Sequence, residues 1–338
     1  MTLQHAGLAA LALAFAIPTA QAQATDYPLS LTNCGQTITF DAAPDSAVTM
    51  GQSGTEMLYA LGLGKKIVAT SVWFNPVLPQ FKELNDSIER LADNFPSFES
   101  VVTKKPGLVV AQFESLVADP GRVAPRVQFH DVGIPTYVLP ADCDTKDNTV
   151  GADGTRVAPF STVSVYKGII ELATIFDVQQ SGIELVSELK EREAEAIDLA
   201  RSLNLPEVSA VFWFSSTSIK ADPFVAGRKG APGYLMDKLG IENVIESDEE
   251  WPTVGWESIA KSDPTVIVIA EVDRRRFPAD DVEKKLAFLK TDPVAKEMTA
   301  VREGRIIVMD AHAMSATIRS IFGLETVARA LSEFDLGQ

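Results

Sequence analysis

Histidine and cysteine are scarce in this chain, whose 338 residues include three of the first and two of the second. Transition-metal sites usually combine several imidazole or thiolate ligands. Only His130 and His312 lie beyond the apolar amino-terminal stretch. We therefore expect no metal site built from several imidazoles. His130 falls in a helical pattern and suits a surface or core role, whereas His312 follows a predicted strand, where ligand-contacting residues often lie.

Basic residues are outnumbered, because 30 Lys and Arg face 46 Asp and Glu and give a net charge of −16. Nucleic acids and anionic membrane surfaces attract basic proteins, so neither is an expected partner. Beyond residue 24, no run of 18 apolar residues occurs, which is about the length that a membrane-spanning helix needs. The remaining composition is typical of a globular protein with more than one domain.

Enzyme motifs are missing as well. The sequence contains no H-E-x-x-H, C-x-x-C, G-x-x-x-x-G-K-[ST] or G-x-S-x-G. We therefore predict that the protein is not an enzyme. A secreted two-domain hydrolase or lyase that uses Glu114 or Asp273 stays open as an alternative, and so does a purely structural interaction protein.

The first 24 residues carry no Asp, Glu, Lys or Arg, and residues 8–17 are apolar. The small residues of "TAQAQA" follow, so we predict a signal peptide over residues 1–24 that is cleaved after Ala22 or Ala24. Its first residues lack the usual Lys or Arg. In an exported protein, Cys34 and Cys143 could form a disulfide, and two buried free thiols are the alternative.

Strand and helix patterns alternate along most of the chain, which predicts βα units and mainly parallel sheets. The predicted strands of the first half are "AVTM", "KIVATS", "LVVAQ" and "TYVLP", and those of the second half are "VSAVFWFS", "ENVIES", "VIVIA" and "RIIVMD". Between the halves, residues 161–204 show helical spacing with a break near "DVQQSG". We predict an α/β lobe over residues 25–160, a linker with one long helix over 161–204, and a second α/β lobe over 205–338. Residues 142–159 are predicted to be a surface loop.

Ligands of open α/β sheets bind at the carboxyl ends of the strands. The residues at those positions are rich in aromatic rings and arginine, which suits a large, flat or conjugated ligand with negative charge. Trp213 and Phe214 could instead be core residues, since they end an apolar run, and each arginine could simply be solvated. The candidate ligand-binding residues are Gln52, Ser53, Trp73, Phe74, Phe113, Glu114, Trp213, Phe214, Arg228, Arg274 and His312.

One motif occurs twice, as "SFESVVTKKPGLVVA" from Ser97 and "GWESIAKSDPTVIVIA" from Gly255. Each copy has an aromatic residue and a glutamate at the start of a predicted helix. The glutamates, Glu99 and Glu257, would favour the helix dipole. Their equivalent positions also suggest a partner that contacts both lobes together.

Six segments that occur in a specific order and spacing are "NCGQTITFDAAPDSAVTM", "GTEMLYALGLGKKIVATS", "FESVVTKKPGLVVA", "GIPTYVLP", "IIELATIFDV" and "WPTVGWESIAKSDPTVIVIA". In these segments the chain resembles the periplasmic substrate-binding proteins of the iron-siderophore, haem and cobalamin ABC importers. The resemblance covers nearly the whole mature chain. It implies two Rossmann-like lobes that are joined by a single long backbone helix, with the ligand between them.

The resemblance also implies the partners. By position, Glu99 and Glu257 would pair with arginines of an inner-membrane permease dimer, which works with its ATPase subunits. The implied ligand is a metal complex, with a ferric siderophore as the first choice and haem or a corrinoid as the alternative. We expect a periplasmic monomer that has no cofactor of its own.

Overall fold

The computed structural model describes residues 23–150 and 154–336. The predicted signal peptide therefore lies almost entirely outside the described residues. The described chain forms two α/β lobes that are joined by helices, as the sequence predicts. We call the elements before the joining helices the N-lobe and those after them the C-lobe.

The N-lobe contains a five-stranded sheet in the order β5-β4-β3-β6-β7, and all of its strands are parallel. Two antiparallel pairs, β1–β2 and β8–β9, flank it. Strands β3 and β6 are buried along their whole length, which explains their continuous apolar sequence. The elements are β1 Leu29–Asn33, β2 Gln36–Phe40, β3 Ala47–Met50, α1 Gln52–Ala60, β4 Ile67–Ser71, α2 Lys82–Asp86, β5 Arg90–Ala92, α3 Phe98–Val102, β6 Leu108–Ala111, α4 Arg126–Asp131, β7 Thr136–Val138, β8 Lys146–Asp147 and β9 Thr155–Arg156.

Two helices join the lobes, α5 Val163–Ile175 and α6 Gln179–Ser202, and the predicted break lies between them. The 24 residues of α6 span about 36 Å at 1.5 Å per residue. The buried stripe of α6 contacts both lobes, because Val186 and Leu189 belong to an apolar cluster formed mainly by the N-lobe and α5. About two turns after Leu189, Ala196 and then Ala200 belong to a C-lobe cluster. This helix therefore connects the two cores.

The C-lobe also has a five-stranded sheet, in the order β11-β10-β13-β14, with β12 beside β10. Its pairings are parallel except for β10 with β11. The predicted strand "ENVIES" is shorter than expected, because the Asn243 side chain accepts from the Ile245 amide and turns the chain. The elements are β10 Val208–Ser215, β11 Phe224–Val225, α7 Ala231–Leu239, β12 Ile241–Asn243, α8 Trp256–Ser262, β13 Val266–Glu271, α9 Val282–Thr291, α10 Thr299–Arg302, β14 Ile306–Asp310 and α11 Arg319–Glu333.

The segment predicted as a surface loop, residues 142–159, is partly a buried hairpin, and the prediction is wrong in this respect. Arg156 is 2% exposed, and its guanidinium donates to the Ala141 carbonyl and to Glu250 of the C-lobe, at 3.1 and 3.3 Å. At the base of the hairpin, Cys143 forms a disulfide with Cys34, so the predicted pairing is present in the structure. The hairpin thus bridges the two lobes.

Candidate functional site

The loops at the carboxyl ends of the two sheets meet each other directly. The Asn75 side chain, after β4, donates to the Glu271 carbonyl at 2.9 Å and accepts from the Asp273 amide at 3.2 Å. Beside it, the Arg274 amide donates to the Phe74 carbonyl at 2.9 Å. These contacts join the two lobes at the strand ends, where the sequence predicts a ligand site.

Phe74 lies next to three other candidate residues, which with it form the Phe74 cluster. Its ring lies 6.3 Å from the ring of Phe113 and 6.1 Å from the imidazole of His312. The Arg274 guanidinium lies over the same ring, 4.7 Å from its centroid. Phe74 and Phe113 are half-buried. Four predicted residues, two from each lobe, are therefore brought together, and they combine aromatic faces with a positive charge.

Below this cluster, a buried ion pair joins the lobes. Arg319 of α11 donates through Nε to Glu56 Oε2 of α1 at 2.9 Å, and its Nη2 also contacts the Glu56 carboxylate. A further donation goes from Nη2 to the Pro76 carbonyl at 2.7 Å, and Nη1 contacts Asp310. Burial acts to lower the pKa of Arg319, but the hydrogen bonds and charges of Glu56 and Asp310 outweigh it and raise this pKa. The guanidinium therefore stays charged.

Sequence reasoning missed this pair. Glu56 is fully buried and Arg319 is 4% exposed, although charged residues are rarely buried unless they are paired. The sequence did indicate two buried charges, because a charged residue lies within an apolar pattern in both segments: Glu56 in "EMLYALG" and Arg319 in "ATIRSIFG". What the pattern could not supply was the partner, which lies 263 residues away along the chain.

His312 is 2% exposed, and its Nε2 has no hydrogen-bond partner among the described residues. Burial is the main cause that lowers the pKa of this imidazole, while Glu56 opposes the shift and Arg319 adds to it. The ring is therefore neutral at pH 7. The buried Ser53 hydroxyl, at the start of α1, also lacks a partner within the described chain. Unpaired buried polar atoms at strand ends are suited to a bound water or ligand group.

Three candidates have structural roles instead, and the structure corrects the predictions for them. Trp213 is fully buried, packs edge-on against Trp256 at 4.8 Å, and donates through its indole nitrogen to Ser216. Trp73 is 2% exposed, and its indole nitrogen donates to Thr70. Neither ring offers free surface to a ligand.

Gln52 is the third, since its buried amide is fully used within the N-lobe. The side-chain oxygen accepts from the Phe74 and Asn75 amides, at 3.3 and 3.2 Å. The side-chain nitrogen donates to Glu56 and to the Pro76 carbonyl. Gln52 therefore positions the loop that carries Phe74.

Phe214, Glu114 and Arg228 have contacts of their own among the described residues. The half-buried Phe214 ring packs 4.6 Å from Trp251, an aromatic residue that sequence reasoning did not select. The Glu114 carboxylate accepts from the Asn148 side chain at 2.7 Å. The exposed Arg228 guanidinium lies 3.8 Å from Glu246.

The repeated motif gives two similar surface positions. In each copy the aromatic residue anchors the helix, since Phe98 packs on Phe129 and Trp256 packs on Trp213 and Phe288. The following glutamates, Glu99 and Glu257, lie exposed in the first turns of α3 and α8.

Neither glutamate has an ion pair within the part of the chain that the structure describes. The cap of α3 is made by Ser97, whose hydroxyl accepts from the Ser100 amide. The Glu99 carboxylate is thus not the capping group of that helix.

Within residues 23–150 and 154–336, no group of three or more His, Cys, Asp or Glu side chains is arranged to hold a metal ion. In the same ranges, no helix has the length and apolarity needed to cross a membrane.

The family follows from comparison with known proteins. A family model described as periplasmic binding protein matches residues 48–313. The chain therefore belongs to the periplasmic binding protein family, whose members bind a solute and are not enzymes.

Relatives agree with this assignment. An uncharacterized ABC transporter substrate-binding lipoprotein of Bacillus subtilis, YvrC, is 24% identical over 90% of this chain and 86% of its own length. A vitamin B12-binding protein of Pectobacterium atrosepticum is 24% identical over 68% of this chain and 72% of its own. The crystal structure of an ABC-type Fe3+-hydroxamate transport system protein from Saccharomonospora viridis shares the fold, with a TM-score of 0.71, 24% identity, and coverage of 90% of this chain and 99% of that one.

Proposed function

We propose that this protein is the periplasmic solute-binding component of an ABC importer and that it captures an organic metal complex in the cleft between its lobes. The observation that carries the proposal is the cluster around Phe74. In that cluster, aromatic and cationic groups from both lobes face one another at the strand ends. A ligand held there would contact both lobes at once, so its binding would stabilise one relative position of the lobes.

A ferric siderophore is the ligand that we favour. Phe74 and Phe113 offer apolar faces, and Arg274 offers a charge that suits an anionic complex. The relative from Saccharomonospora viridis carries the name of a Fe3+-hydroxamate system, which supports this choice. Haem or a corrinoid is the alternative, and the vitamin B12-binding relative supports the corrinoid. A bare metal ion is disfavoured, because the two histidines beyond the amino-terminal stretch are too few for a site with several imidazole ligands.

The partner that we propose is a permease dimer in the inner membrane with its ATPase subunits. Glu99 and Glu257 are exposed, lack ion pairs among the described residues, and occupy the same position of the repeated motif in the two lobes. A twofold permease with an arginine patch on each subunit would bind both carboxylates through charge-assisted contacts. Exposed ion pairs contribute little affinity one by one, so their role would be orientation.

A ligand screen tests the binding proposal. A ferric trihydroxamate siderophore, haemin and cyanocobalamin are titrated into the mature protein, and heat of binding and thermal midpoint are measured. We expect one of them to bind and Phe74→Ala to weaken that binding. The matched control is Phe95→Ala, an exposed aromatic residue of the same lobe. Tight binding of a simple sugar or amino acid, with none of the three complexes bound, would overturn the proposed ligand class.

Charge reversal tests the docking proposal. Glu99→Arg and Glu257→Arg are expected to leave the thermal midpoint and ligand affinity almost unchanged, because both side chains are exposed. Cellular uptake of the bound complex should fall steeply. Normal uptake by the double variant would show that the glutamates do not contact the permease. Glu297→Arg serves as a control, since Glu297 is also a surface glutamate of the C-lobe.

The location is part of the same proposal. Cleavage after Ala22 or Ala24 would release a periplasmic monomer, and the mass of the exported protein measures the cleavage site.

A further inference from the structure

A lysine without any exposed surface lies at the end of the C-lobe sheet. Lys285, in the first half of α9, is 0% exposed. Its ammonium donates to the Phe214 carbonyl at 2.7 Å and to the Ala270 carbonyl at 2.8 Å. It also lies 5.4 Å from the centroid of the Trp213 ring. A buried ammonium costs stability unless it is well compensated, so this position calls for an explanation.

The two carbonyls belong to neighbouring strands at the point where their pairing stops. Strands β10 and β13 pair in parallel up to Trp213 and Ile269. One residue later, the carbonyls of Phe214 and Ala270 accept from the Lys285 ammonium, while β10 still pairs with β11 and β13 with β14. The ammonium therefore lies between the carboxyl ends of two neighbouring strands.

A buried carboxylate, that of Asp280, binds hydrogen-bond donors near the same two strand ends. Asp280, which is 2% exposed, accepts from the Arg276 and Phe277 amides through Oδ2, at 3.0 and 2.9 Å. Its Oδ1 accepts from the Ser215 hydroxyl. Asp280 thus ties the residue that follows Phe214 to the segment that follows β13. The Lys285 ammonium thus binds a carbonyl at each strand end, and the Asp280 carboxylate binds the last residue of β10 and two amides after β13.

The end of β10 carries Phe214, whose ring packs on Trp251 of the same lobe. The loop after β13 carries Arg274, whose amide and guanidinium both contact the N-lobe, at the Phe74 and Asp93 carbonyls. A change in the spacing of the two strand ends would therefore move Arg274 and its contact with Phe74.

We propose that Lys285 and Asp280 are positioning residues, which fix the end of β10 with Phe214 and the loop after β13 with Arg274, and so set how the C-lobe side of the proposed ligand site meets Phe74. The part of this inference that concerns affinity rests on the proposed function. The part that concerns the loops does not depend on it.

The test uses Lys285→Met, which keeps the length and volume of the side chain but removes the charge and the donors. The matched control is Lys284→Met, since Lys284 is the exposed neighbour in the same helix. Amide hydrogen–deuterium exchange of the ligand-free protein is measured over residues 214–218 and 271–277. We expect faster exchange in both segments for Lys285→Met alone, with little change elsewhere in the C-lobe. Unchanged exchange in both segments would overturn the inference.

Affinity is measured in parallel with a ferric trihydroxamate siderophore, haemin and cyanocobalamin. For whichever complex the unaltered protein binds, Lys285→Met should lower the affinity by about tenfold, as expected for lost hydrogen bonds to a charged group. Normal affinity with altered exchange would show a purely structural role and would also overturn the inference. If the unaltered protein binds none of the three, the proposed ligand class fails, and the exchange measurement still decides the position of the loops.

Asp280→Asn is the second variant, which protects the test if Lys285→Met does not fold. An amide cannot accept at both of the positions where the Asp280 carboxylate accepts. We expect faster exchange at residues 276–277 and a loss of affinity in the same direction. Exchange and affinity equal to those of the unaltered protein would contradict the role of Asp280.

Discussion

Removing Arg319 should destabilise the protein strongly, because it would leave the fully buried Glu56 carboxylate without its cation. Arg319 makes two contacts with Glu56 and one each with the Pro76 carbonyl and Asp310. Breaking a buried ion pair by removing one partner costs about 3–5 kcal/mol, since the remaining charge stays desolvated. We therefore expect Arg319→Met to lower the free energy of unfolding by about 3–5 kcal/mol.

The double variant separates the charge from the packing. In Glu56→Gln/Arg319→Met both buried charges of the pair are removed. Asp310 keeps its charge, but its side chain is one-third exposed. Replacing a buried pair on both sides is often nearly neutral, so the double variant should be more stable than Arg319→Met alone. Urea unfolding, followed by far-UV circular dichroism, gives the four free energies of the cycle.

The location of the pair adds a second readout. Glu56 belongs to the N-lobe and Arg319 to the C-lobe, so their bond couples the two lobes. In Arg319→Met, calorimetry should show a broader or split transition, because the lobes would unfold more independently. A loss below about 1 kcal/mol, the range of an exposed pair, would refute the reasoning. A double variant as unstable as Arg319→Met would refute it too.

Three further predictions follow from single features. Burial lowers the pKa of Lys285 from 10.5 to about 8, so between these pH values the unfolded chain binds more protons than the folded chain. From pH 8 to 10.5, the free energy of unfolding of the unaltered protein should therefore rise by at most about 3 kcal/mol more than that of Lys285→Met. Urea titrations at several pH values measure both free energies, and the same pH dependence in the two proteins would contradict this. The Cys34–Cys143 bond closes a long loop, and Cys34→Ala/Cys143→Ala should lose up to about 4–5 kcal/mol of unfolding free energy; equal denaturation midpoints with and without reductant would argue against it. Trp251 is half-buried beside Phe214, so Trp251→Phe should remove most of the ligand-dependent change in tryptophan emission, whereas a signal that survives would come from another tryptophan.

The alternation of strands and helices predicted the two lobes and the joining helix, because both depend on local periodicity. The parallel strands are continuous apolar runs such as Leu108–Ala111, and α6 shows a clear helical stripe. The predicted loop over residues 142–159 failed because its buried charges depend on Glu250, which is distant in sequence. Such partners leave no periodic pattern.

The candidate site was predictable only in part, because position at a strand end does not fix the direction of a side chain. Strand β10 extends to Ser215, so Trp213 lies within the sheet and its ring packs into the core. Val72 has φ +60°, which a sequence would not predict for a β-branched residue, and the Trp73 that follows it is buried. Phe74 and His312, by contrast, lie beyond the ends of their strands and do reach the cleft cluster.

Recovery of the bound solute tests the central claim most directly. The protein would be isolated from the periplasm of iron-limited cells without denaturation, and native mass spectrometry with metal analysis would identify what it carries. The account predicts one organic metal complex per protein, which Phe74→Ala loses more readily than Phe95→Ala does. A protein that carries a metal-free sugar, amino acid or peptide, and keeps it when Phe74 is replaced, would contradict the account.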